Sequence, residues 1–505
     1  MGQRRFRYRR WLWLMGFVLF LFLVKMVVAL GEPEQPPIPV SSQPRTVFVH
    51  LFEWRWEDVA QECETFLGPG GFAAVQVSPP NEHAVVPEQG FPWWQRYQPV
   101  SYQLVSRSGD RAQFSNMVQR CKAVGVDIYA DAVINHMAAV EGVGSAGTVY
   151  RRYHYPGLYE PKDFHTCQRD IQDYSDRTEV TTCELVGLPD LKTHSPTVQE
   201  KIVSYLADLV NLGVVGFRID AAKHIAPADL AEILQKLEQQ VPTMPYVYQE
   251  VIDPGTEATQ KEDYYATGDV SEFEYGRIVS AALLGKDGYT LAQLATLGES
   301  WGLVPTEQAI AFIDNHDKQR GHAGGGDYLT YKDGKRYELA VVFMLAYPYG
   351  YPQIMSSYAF SDSEQGPPGD RLGNTRPVYE NGVAQCFREW VCEHRNPAIA
   401  AMVRFRNATN SVFAVTDWWS NGNNQIAFSR GDRGFVVINA EAEPLTHTFQ
   451  TQLPSGEYCN LLTGDRPHPS PDTPCSGQPI TVDAQGKFTA TVAAMEAIAL
   501  QSPGA

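Results

Sequence analysis

The feature that most constrains the fold of this 505-residue chain is an alternation of short, apolar, β-rich runs with helical patterns. The strand candidates, in order, are TVFVHLF (46–52), GFAAVQVSPP (71–80), DIYADAVINH (127–136), GFRIDA (216–221), PYVYQEV (245–251), DVSEFEY (269–275), AIAFIDNHD (309–317) and PQIMSSYAF (352–360). Such runs separated by helices are typical of parallel strands with crossover helices. Eight of these units favour a closed (β/α)8 TIM barrel over an open doubly wound sheet. No GxGxxG or GxxxxGK[ST] loop follows any of them, which argues against a nucleotide-binding fold.

Two regions interrupt this alternation. Residues 137–190, between the third and fourth strands, are rich in Gly, Tyr, Asp and Thr and are far longer than an ordinary loop. We predict a small inserted domain there, with the barrel over 46–136 and 191–412. From residue 413 helical patterning stops, and β-alternating runs such as GFVVINA follow between turn residues. This pattern predicts a C-terminal antiparallel β-sandwich domain over 413–505.

The N-terminus carries an export signal, because the basic segment MGQRRFRYRR precedes the apolar run WLWLMGFVLFLFLVKMVVALG. A signal peptide has about 7–15 apolar residues and a membrane-spanning helix about 20. Residues 1–31 are therefore either a cleaved signal peptide or an anchor that spans the membrane through residues 11–30. A Pro-rich linker follows over 32–45. In both cases the remainder of the chain is expected to be secreted or extracytoplasmic.

Eight cysteines are available for disulfides, which export makes permissible. Neighbours in the sequence suggest three pairs: Cys167 with Cys183, Cys386 with Cys392, and Cys459 with Cys475. Cys63 and Cys121 remain, either paired or free. No CxxC spacing of the zinc-binding kind is present, so a thiolate metal cluster is not expected.

The charge of the chain bears on its partners. The formal net charge is −17 at pH 7, and six of the basic residues lie in the first 31. Such a field repels phosphate backbones, so nucleic acid is not an expected partner. A neutral polymer is not repelled by this charge and is therefore a more suitable partner than nucleic acid.

Polar residues collect at the carboxyl ends of four strand candidates. From the third, fourth, fifth and seventh these are Asp131, Asn135 and His136; Arg218 and Asp220; Glu250; and Asn315, His316 and Asp317. The loops at this end of a barrel form its cleft, so we expect these side chains to meet. One Asp at a strand end is more often a helix cap. It is their joint placement that indicates a site.

Three carboxylates in one cleft suit glycoside hydrolysis. One must stay ionised, and Arg218, two residues before Asp220 on the same strand face, is expected to lower the pKa of Asp220. Another must arrive protonated, and the apolar neighbours of Glu250 are expected to raise its pKa. The third, Asp317, can hold sugar hydroxyls and help to distort the ring.

These residues fall in segments that resemble the α-amylase family, glycoside hydrolase family 13. Its four signature segments and one additional segment are matched by DAVINH (131–136), GFRIDAAKH (216–224), QEV (249–251), FIDNHD (312–317) and GLPDL (187–191). Further segments resemble the animal-type α-amylases: WRWEDVAQECE (54–64), AVQVSPPNE (74–82), PWWQRYQPVSY (92–102), DNHDKQRGHAGGG (314–326) and WVCEHR (390–395). The likeness runs from about residue 46 to the C-terminus.

The resemblance implies endo-hydrolysis of internal α-1,4-glucosidic bonds in starch, glycogen and related glucans, with retention of configuration, by a monomer. By position, Asp220 matches the nucleophile, Glu250 the general acid/base and Asp317 the acid that stabilises the transition state. Positions that brace the nucleophile or bind the reacting sugar are matched by Asp131, His136, Arg218 and His316. Substrate subsites are matched by Trp93, Trp94, Tyr97, Tyr174, Lys223, His224 and His322. Trp93 and Trp94 are expected to be an exposed stacking platform rather than a core pair.

A structural Ca²⁺ is also implied by the resemblance. The matching ligands are the side chains of Asn135 and Asp190 and the main-chain carbonyls of Thr181 and His224. Oxygen ligands of this kind are what Ca²⁺ prefers. A metal held between barrel and inserted domain would bind only the folded form and so stabilise the cleft.

Two departures from the animal-type pattern stand out. Those enzymes hold chloride with two basic residues and an Asn; Arg218 and Asn315 match two of these positions, but Gln353 replaces the second basic residue. We therefore expect chloride independence, with Gln353 hydrogen-bonded near Glu250. Val105 stands where many relatives have the cysteine that partners Cys63, so that bridge is lost or moved to Cys121.

Two rival functions remain open. A transglycosylase or glucan isomerase of the same family would use the same trio, because water and a sugar hydroxyl compete for one intermediate. A non-catalytic glucan-binding protein is the second rival. The animal-type segments favour hydrolysis, and the intact Asp220, Glu250 and Asp317 argue against a non-catalytic role.

Overall fold

The computed structural model describes residues 46–463, 474–476 and 479–502. The predicted signal peptide or anchor (1–31) and the predicted linker (32–45) lie outside the described residues. Within the described ranges, no helix is long and apolar enough to cross a membrane.

Eight parallel strands close into a barrel. They are β1 (Phe48–Leu51), β2 (Ala74–Val77), β3 (Asp127–Ala132), β4 (Gly216–Ile219), β5 (Tyr246–Gln249), β6 (Asp269–Glu272), β7 (Ala309–Ala311) and β8 (Tyr351–Ser356). Each pairs with the next in chain order, and β8 closes on β1 with Gln353 opposite Phe48. Every strand falls on one of the predicted runs, so the predicted TIM barrel is confirmed.

Helices connect most of the strands on the outside. They are α1 (Trp56–Glu62), α2 (Arg111–Ala123), α3 (Pro196–Leu212), α4 (Pro227–Glu238), α5 (Phe273–Leu284), α6 (Lys335–Ala346) and α7 (Pro397–Ala408). The link from β5 to β6 differs, because it holds the short 3-10 turn Lys261–Tyr264 where a helix was expected. Pro254 and Gly255 follow β5 closely and favour a turn there.

Local sequence signals fix the helix ends. Asp110 caps α2 by accepting a hydrogen bond from the Gln113 amide, while the Gln113 side chain accepts one from the Asp110 amide. Pro196 begins α3, and Gly213 ends it with φ +106°, a left-handed conformation that favours glycine. The buried face of α3 repeats at helical spacing: Val198, Ile202, Leu206 and Leu209.

The segment between β3 and α3 forms small elements of its own. It contains a hairpin of Gly142–Val143 with Val149–Tyr150, a parallel pair of Cys167–Asp170 with Cys183–Glu184, and a short helix, Arg177–Val180. A β-bridge between His136 and Asp190 joins its end to the segment that follows β3. The boundaries 137–190 of an inserted domain stay a prediction.

The C-terminal part is built of antiparallel strands. They are β9 (Thr416–Ser420), β10 (Gln425–Arg430), β11 (Gly434–Asn439), β12 (Leu445–Gln450), β13 (Gly456–Tyr458), β14 (Ile480–Val482), β15 (Lys487–Val492) and β16 (Glu496–Gln501). One sheet has the order β9-β10-β11-β16, and β12 pairs with β15. Phe435 of the first sheet packs on Phe449 and Phe488 of the second, with ring centroids 5.9 and 5.4 Å apart. The predicted sandwich is thus confirmed, whereas its start at residue 413 stays a prediction.

All eight cysteines are paired. The three pairs expected from sequence proximity are formed, Cys167–Cys183, Cys386–Cys392 and Cys459–Cys475. The open question about the remaining two is settled by the fourth disulfide, Cys63–Cys121. This bond joins the end of α1 to α2. Of the two outcomes expected from Val105, a lost bridge or a bridge moved to Cys121, the second is therefore found.

Candidate active site

The guanidinium of Arg218 lies at the centre of the site, at the carboxyl end of the barrel. Arg218 on β4 is the register partner of Asp131 on β3. Its Nη1 donates to Asp131 Oδ1 at 2.6 Å and to Asp220 Oδ1 at 2.8 Å. All three side chains are buried. The predicted pairing of Arg218 with Asp220 is therefore present, but it is shared with a second carboxylate.

Glu250 meets the same guanidinium from the next strand. It directly follows β5, and its Oε1 lies 2.6 Å from Arg218 Nη2. Its Oε2 accepts a hydrogen bond from the Ala221 amide at 2.9 Å. Ala221 has a φ of +49°, a left-handed conformation that is uncommon for a residue with a side chain. One cation thus contacts three carboxylates from three adjacent strands.

Asp317 reaches the site from the segment after β7. Its Oδ2 lies 3.6 Å from His316 Nε2. The His316 ring stacks on Tyr97 with centroids 4.9 Å apart, and the Tyr97 hydroxyl donates to Asp131 Oδ2 at 2.9 Å. The charge of Glu250 also acts on Asp317. The structure therefore brings Asp131, Asp220 and Glu250 into one buried cluster, with the partly exposed Asp317 beside it.

Burial controls the protonation of this cluster. It raises the pKa of Asp220 well above its ordinary range, and the negative charges of Glu250 and Asp131 add to the effect that Arg218 opposes. Burial and the charge of Glu250 raise the pKa of Asp317 to about 7. The expectation of a lowered pKa for Asp220 is therefore wrong. A single guanidinium shared among several buried carboxylates cannot offset their desolvation.

The two histidines of the site are held neutral. Burial lowers the pKa of His136 to about 4, and burial and the charge of Arg218 lower that of His316 well below its ordinary value. His136 Nε2 lies 3.0 Å from the Tyr97 carbonyl, so this nitrogen carries the proton and donates. Neutral imidazoles can serve as hydrogen-bonding groups without adding charge to the cluster.

Comparison with known proteins shows the family of the chain. Residues 92–356 match the family model of the α-amylase catalytic domain, and residues 418–503 match that of the α-amylase C-terminal all-β domain. Mouse pancreatic α-amylase 2a5 is 42% identical over 94% of this chain and 96% of its own length. The α-amylase of the beetle Tribolium castaneum is 46% identical over 91% and 94%. This chain belongs to the α-amylase family.

Solved structures of the α-amylase family give the same result. The α-amylase I of Eisenia fetida superposes with a TM-score of 0.85 at 41% identity, covering 91% of this chain and 98% of that one. A mutant of the same protein, solved as a complex with maltohexaose, gives a TM-score of 0.86.

The aromatic residues expected to bind α-amylase substrates are more buried than predicted. Trp93 is only 6% exposed and packs edge-on against Tyr97, His316 and, in a tilted contact, His322, with centroids 5.5–5.9 Å apart. Trp94 is half-buried and packs against the barrel core. The expectation of an exposed stacking platform is therefore wrong for Trp93. Segments distant in sequence cover its ring.

A second group of the expected subsite residues is joined to Glu250, whose carbonyl accepts a hydrogen bond from the Lys223 amide at 3.2 Å. Lys223 Nζ donates to the Ile252 carbonyl at 2.6 Å, pairs with Glu257, and lies 5.2 Å from the centroid of the Tyr174 ring. The ring of His224 lies 6.3 Å from that of Tyr174. These contacts join the inserted segment to the loops after β4 and β5.

The residues expected to hold Ca²⁺ lie together. Asn135 Oδ1 and Asp190 Oδ1 are both buried and have no hydrogen-bond partner among the described residues. The other Asp190 oxygen lies 2.6 Å from His165 Nδ1. His224 Nδ1 lies 3.1 Å from the Val180 carbonyl, which brings the segments of Thr181 and His224 together. Orphaned buried oxygens of this kind fit a hard cation.

The Ca²⁺ site expected here differs from a cluster of acidic, thiolate or imidazole ligands. Within the described ranges there is no group of three or more His, Cys, Asp or Glu that could hold a metal. The Asn135–Asp190 site is of another kind, because most of its expected ligands are an amide and main-chain carbonyls.

The three positions that correspond to the chloride site are otherwise engaged. Asn315 Oδ1 accepts a hydrogen bond from the Lys318 amide at 2.8 Å. The Gln353 amide donates to Gln76 and lies 3.5 Å from the Tyr248 hydroxyl. Among the described residues, no hydrogen bond joins Gln353 to Glu250, so the expected contact is replaced by one with Gln76.

Gln76 is a site residue that the sequence reasoning missed. Its Nε2 donates to Asp131 Oδ2 at 3.3 Å, and its Oε1 accepts from the Tyr248 hydroxyl at 2.6 Å and from Gln353. Gln76 thus connects strand β2 to Asp131 of the carboxylate cluster. A polar side chain in the middle of the buried run AVQV was the signal that could have found it.

Proposed function

We propose that the chain is a retaining α-amylase that hydrolyses internal α-1,4-glucosidic bonds of starch, glycogen and related glucans. The observation that carries the proposal is the contact of one guanidinium, that of Arg218, with Asp131, Asp220 and Glu250 at 2.6–2.8 Å. The family membership and the maltohexaose complex of the Eisenia fetida relative support a linear α-glucan as substrate.

The proposed reaction has two steps at the same carbon. In the first, an Asp220 oxygen bonds to the anomeric carbon, the glycosidic C–O bond breaks, and Glu250 gives its proton to the leaving oxygen. In the second, Glu250 takes a proton from water, whose oxygen bonds to the anomeric carbon and releases Asp220. Two inversions at one carbon give net retention.

The electrostatics of the cluster suit this sequence of steps. Burial and mutual repulsion raise the pKa of Asp131, Asp220 and Asp317, so the site favours protonated carboxyls more than water does. The positive charge of Arg218 opposes this effect at Asp220, the proposed nucleophile, and favours its ionised form. We assign the stabilisation of the cationic sugar to Asp317.

Sugar contacts are proposed for the surrounding polar groups. Trp93 is assigned to these contacts through the small exposed part of its ring. His136, His316 and Tyr97 line the same space and can hydrogen-bond the reacting ring. Tyr174, Lys223, His224 and His322 are assigned to neighbouring sugars.

Ca²⁺ is proposed as a structural ion, held by Asn135, Asp190 and the carbonyls of Thr181 and His224. When bound, it supplies two positive charges that neutralise Asp190 and tie the inserted segment to the barrel. Chloride is not needed in this proposal. Arg218 Nη2 already lies 2.6 Å from Glu250, and Gln353 brings no second cation.

An extracytoplasmic location is also part of the proposal. Four disulfides link the described residues, and such bonds persist in oxidising compartments. We expect a monomer, with residues 1–31 either cleaved or retained as an anchor. Sequencing the N-terminus of the protein isolated from its host distinguishes these two fates.

The decisive experiment is digestion of soluble starch by the purified full chain. We expect reducing ends to appear while iodine colour falls quickly, and the newly formed reducing ends to be α-anomers by proton NMR. Glu250→Gln should abolish both signals. Transfer products without a rise in reducing ends would indicate the transglycosylase, and binding to starch without cleavage would indicate the non-catalytic protein.

A further inference from the structure

Lys318 follows the proposed transition-state stabiliser Asp317, yet its side chain forms no ion pair within the part of the chain that the structure describes. Its Nζ instead donates to two main-chain carbonyls, those of Ala323 at 2.6 Å and Gly325 at 2.8 Å. The same nitrogen lies 5.3 Å from the centroid of the Phe273 ring and 4.7 Å from that of Tyr328. The residue is 8% exposed. Burying an ammonium costs free energy, and here the two carbonyls and the two ring faces offset that cost.

The carbonyls belong to the segment His322–Ala323–Gly324–Gly325–Gly326, here called the glycine loop (322–326). Ala323 and the three glycines that follow it have φ values of +56°, +85°, +68° and +102°. A run of left-handed residues forms no regular pattern of backbone hydrogen bonds, and glycine loses much conformational entropy when it is ordered. The glycine loop therefore needs other contacts to hold one conformation. Backbone bonds from the His322 amide to the Asp317 carbonyl and from the Gly325 amide to the His322 carbonyl hold the loop locally, at 3.0 and 3.3 Å.

The glycine loop carries His322 to the edge of the cleft. The His322 ring lies 5.6 Å from that of Trp93, and its Nε2 lies 3.0 Å from Glu364 Oε1. Trp93 in turn packs on His316, beside the catalytic carboxyls. A change in the position of this loop therefore moves a proposed sugar contact without moving Asp220 or Glu250.

We propose that Lys318 is a positioning residue that anchors the glycine loop and thereby sets substrate affinity through His322. The proposal rests on the proposed α-glucan function of the cleft. An ammonium suits this role, because hydrogen bonds from a charged donor are stronger than neutral ones and two carbonyls can share it. The ring faces of Phe273 and Tyr328 stabilise the charge where water is excluded.

The first test is kinetic and uses Lys318→Met, which removes the charge and keeps most of the apolar stem. We expect KM for malto-oligosaccharides to rise about tenfold while kcat changes less than about threefold, because Asp220 and Glu250 stay in place. Lys318→Arg, which keeps a cation with several donors, should recover part of the affinity. A loss confined to kcat would overturn the proposal.

A matched control and a double variant separate anchoring from plain electrostatics. The ammonium of Lys332 also lies over aromatic rings, 3.6 Å from the Phe360 centroid, but within the described ranges no hydrogen bond joins it to the glycine loop. Lys332→Met should leave KM unchanged. In a His322→Ala background, Lys318→Met should add little if it acts through the loop. A full additional effect there would mean that the ammonium acts on Asp317 directly, which contradicts the proposal.

The second test needs no activity. We expect hydrogen exchange at the amides of His322 and Gly325 to be at least about tenfold faster in Lys318→Met, with exchange in β7 unchanged. Unchanged exchange in the loop would overturn the anchor. If the wild-type chain cleaves no glucan but the loop amides still respond, the anchor stands and the proposed function fails. If starch is cleaved and the amides do not respond, the proposed function stands and the anchor fails.

Discussion

Two buried carboxylate clusters in this molecule have opposite charge balances. At the cleft, Arg218 is the shared partner of Asp131, Asp220 and Glu250. On the outside of the barrel, Glu62 at the end of α1 has several partners of its own: Arg395 Nε at 2.7 Å, His394 Nε2 at 2.8 Å, and the Tyr379 hydroxyl at 2.5 Å. The first cluster has too few cations for its carboxyls, and the second has donors in excess.

The pKa values follow this difference. Burial and the charge of Glu250 raise the pKa of Asp317 to about 7. Burial acts in the same direction on Glu62, but the hydrogen bonds and charges of His394 and Arg395 outweigh it and lower its pKa to about 2. Burial alone therefore does not decide the protonation of a carboxyl. The ratio of donors to carboxylates does, and it separates a cluster that can exchange protons from one that only stabilises the fold.

The largest expected effect is at the under-neutralised cluster. Asp220→Asn should lower kcat on starch by about 10⁴-fold or more, since the proposed nucleophile is lost. Its melting temperature should not fall, because a buried carboxylate that repels its neighbours is removed. Reducing-end assays and thermal unfolding measure the two quantities. A variant that retains a few per cent of activity would show that Asp220 is not the nucleophile.

The outer cluster should respond in the opposite way. Glu62→Gln leaves Arg395 partly buried without its counter-charge, and breaking a buried pair on one side costs about 3–5 kcal/mol of unfolding free energy. Urea unfolding of wild type and variant measures this loss. The fraction that remains folded should keep its kcat within about twofold. An active, undestabilised Glu62→Gln would mean that charge balance does not distinguish the two clusters.

Asp190 represents a third case, a buried carboxylate whose proposed cation comes from solution. Removing Ca²⁺ with a chelator should lower the unfolding free energy by about 3–4 kcal/mol when the free ion had been several hundred times its Kd. Ca²⁺ should restore the melting temperature and Mg²⁺ should not, because Mg²⁺ requires a tighter octahedral shell. Asp190→Asn is the matched variant, and its melting temperature should no longer depend on the chelator. A wild type that is indifferent to chelation would leave Asp190 without the proposed ion.

How far the sequence predicts these features differs between backbone and side chains. The strands β1–β8 could be predicted from apolar runs, because a short, apolar, β-rich run is typical of a strand in a buried sheet. The missing helix between β5 and β6 could not be read in the same way, since a turn at Pro254 and Gly255 only weakens a helix prediction.

Side-chain environments were harder to predict, because they depend on segments that are distant in sequence. Trp93 was expected to be exposed, but His316 and His322, more than 200 residues away in sequence, cover its ring. The pairing of Arg218 with Asp220 was visible from their spacing. The contacts of Arg218 with Asp131 and Glu250 depend on the register between strands. Residue spacing within one strand does not predict that register.

The pH dependence of stability offers a smaller test of the comparison. Asp317 has a raised pKa, so folding favours its protonated form: the stability it contributes is present below the unfolded value of about 3.9 and is lost as pH rises towards 7. Asp317→Asn should remove this slope, a change of about 2 kcal/mol between pH 5 and 7. Glu62 should behave oppositely, with stability lost only as pH falls from about 4.5 towards 2. Parallel pH–stability curves for wild type and Asp317→Asn would mean that Asp317 is ionised throughout this range.

The smallest expected effect concerns chloride. If a bound anion were needed to balance the cleft, it would require more positive charge than this site has, since Arg218 is already shared among three carboxylates and Gln353 is neutral. An added anion would meet a net negative cluster, so binding should be weak. Adding chloride to a chloride-free preparation should therefore change kcat by less than about twofold, with nitrate as the control for ionic strength. A several-fold activation specific to chloride would show that the cluster recruits an anion in spite of its charge, and the balance of cations to carboxylates would then be a poor guide to how this cleft works.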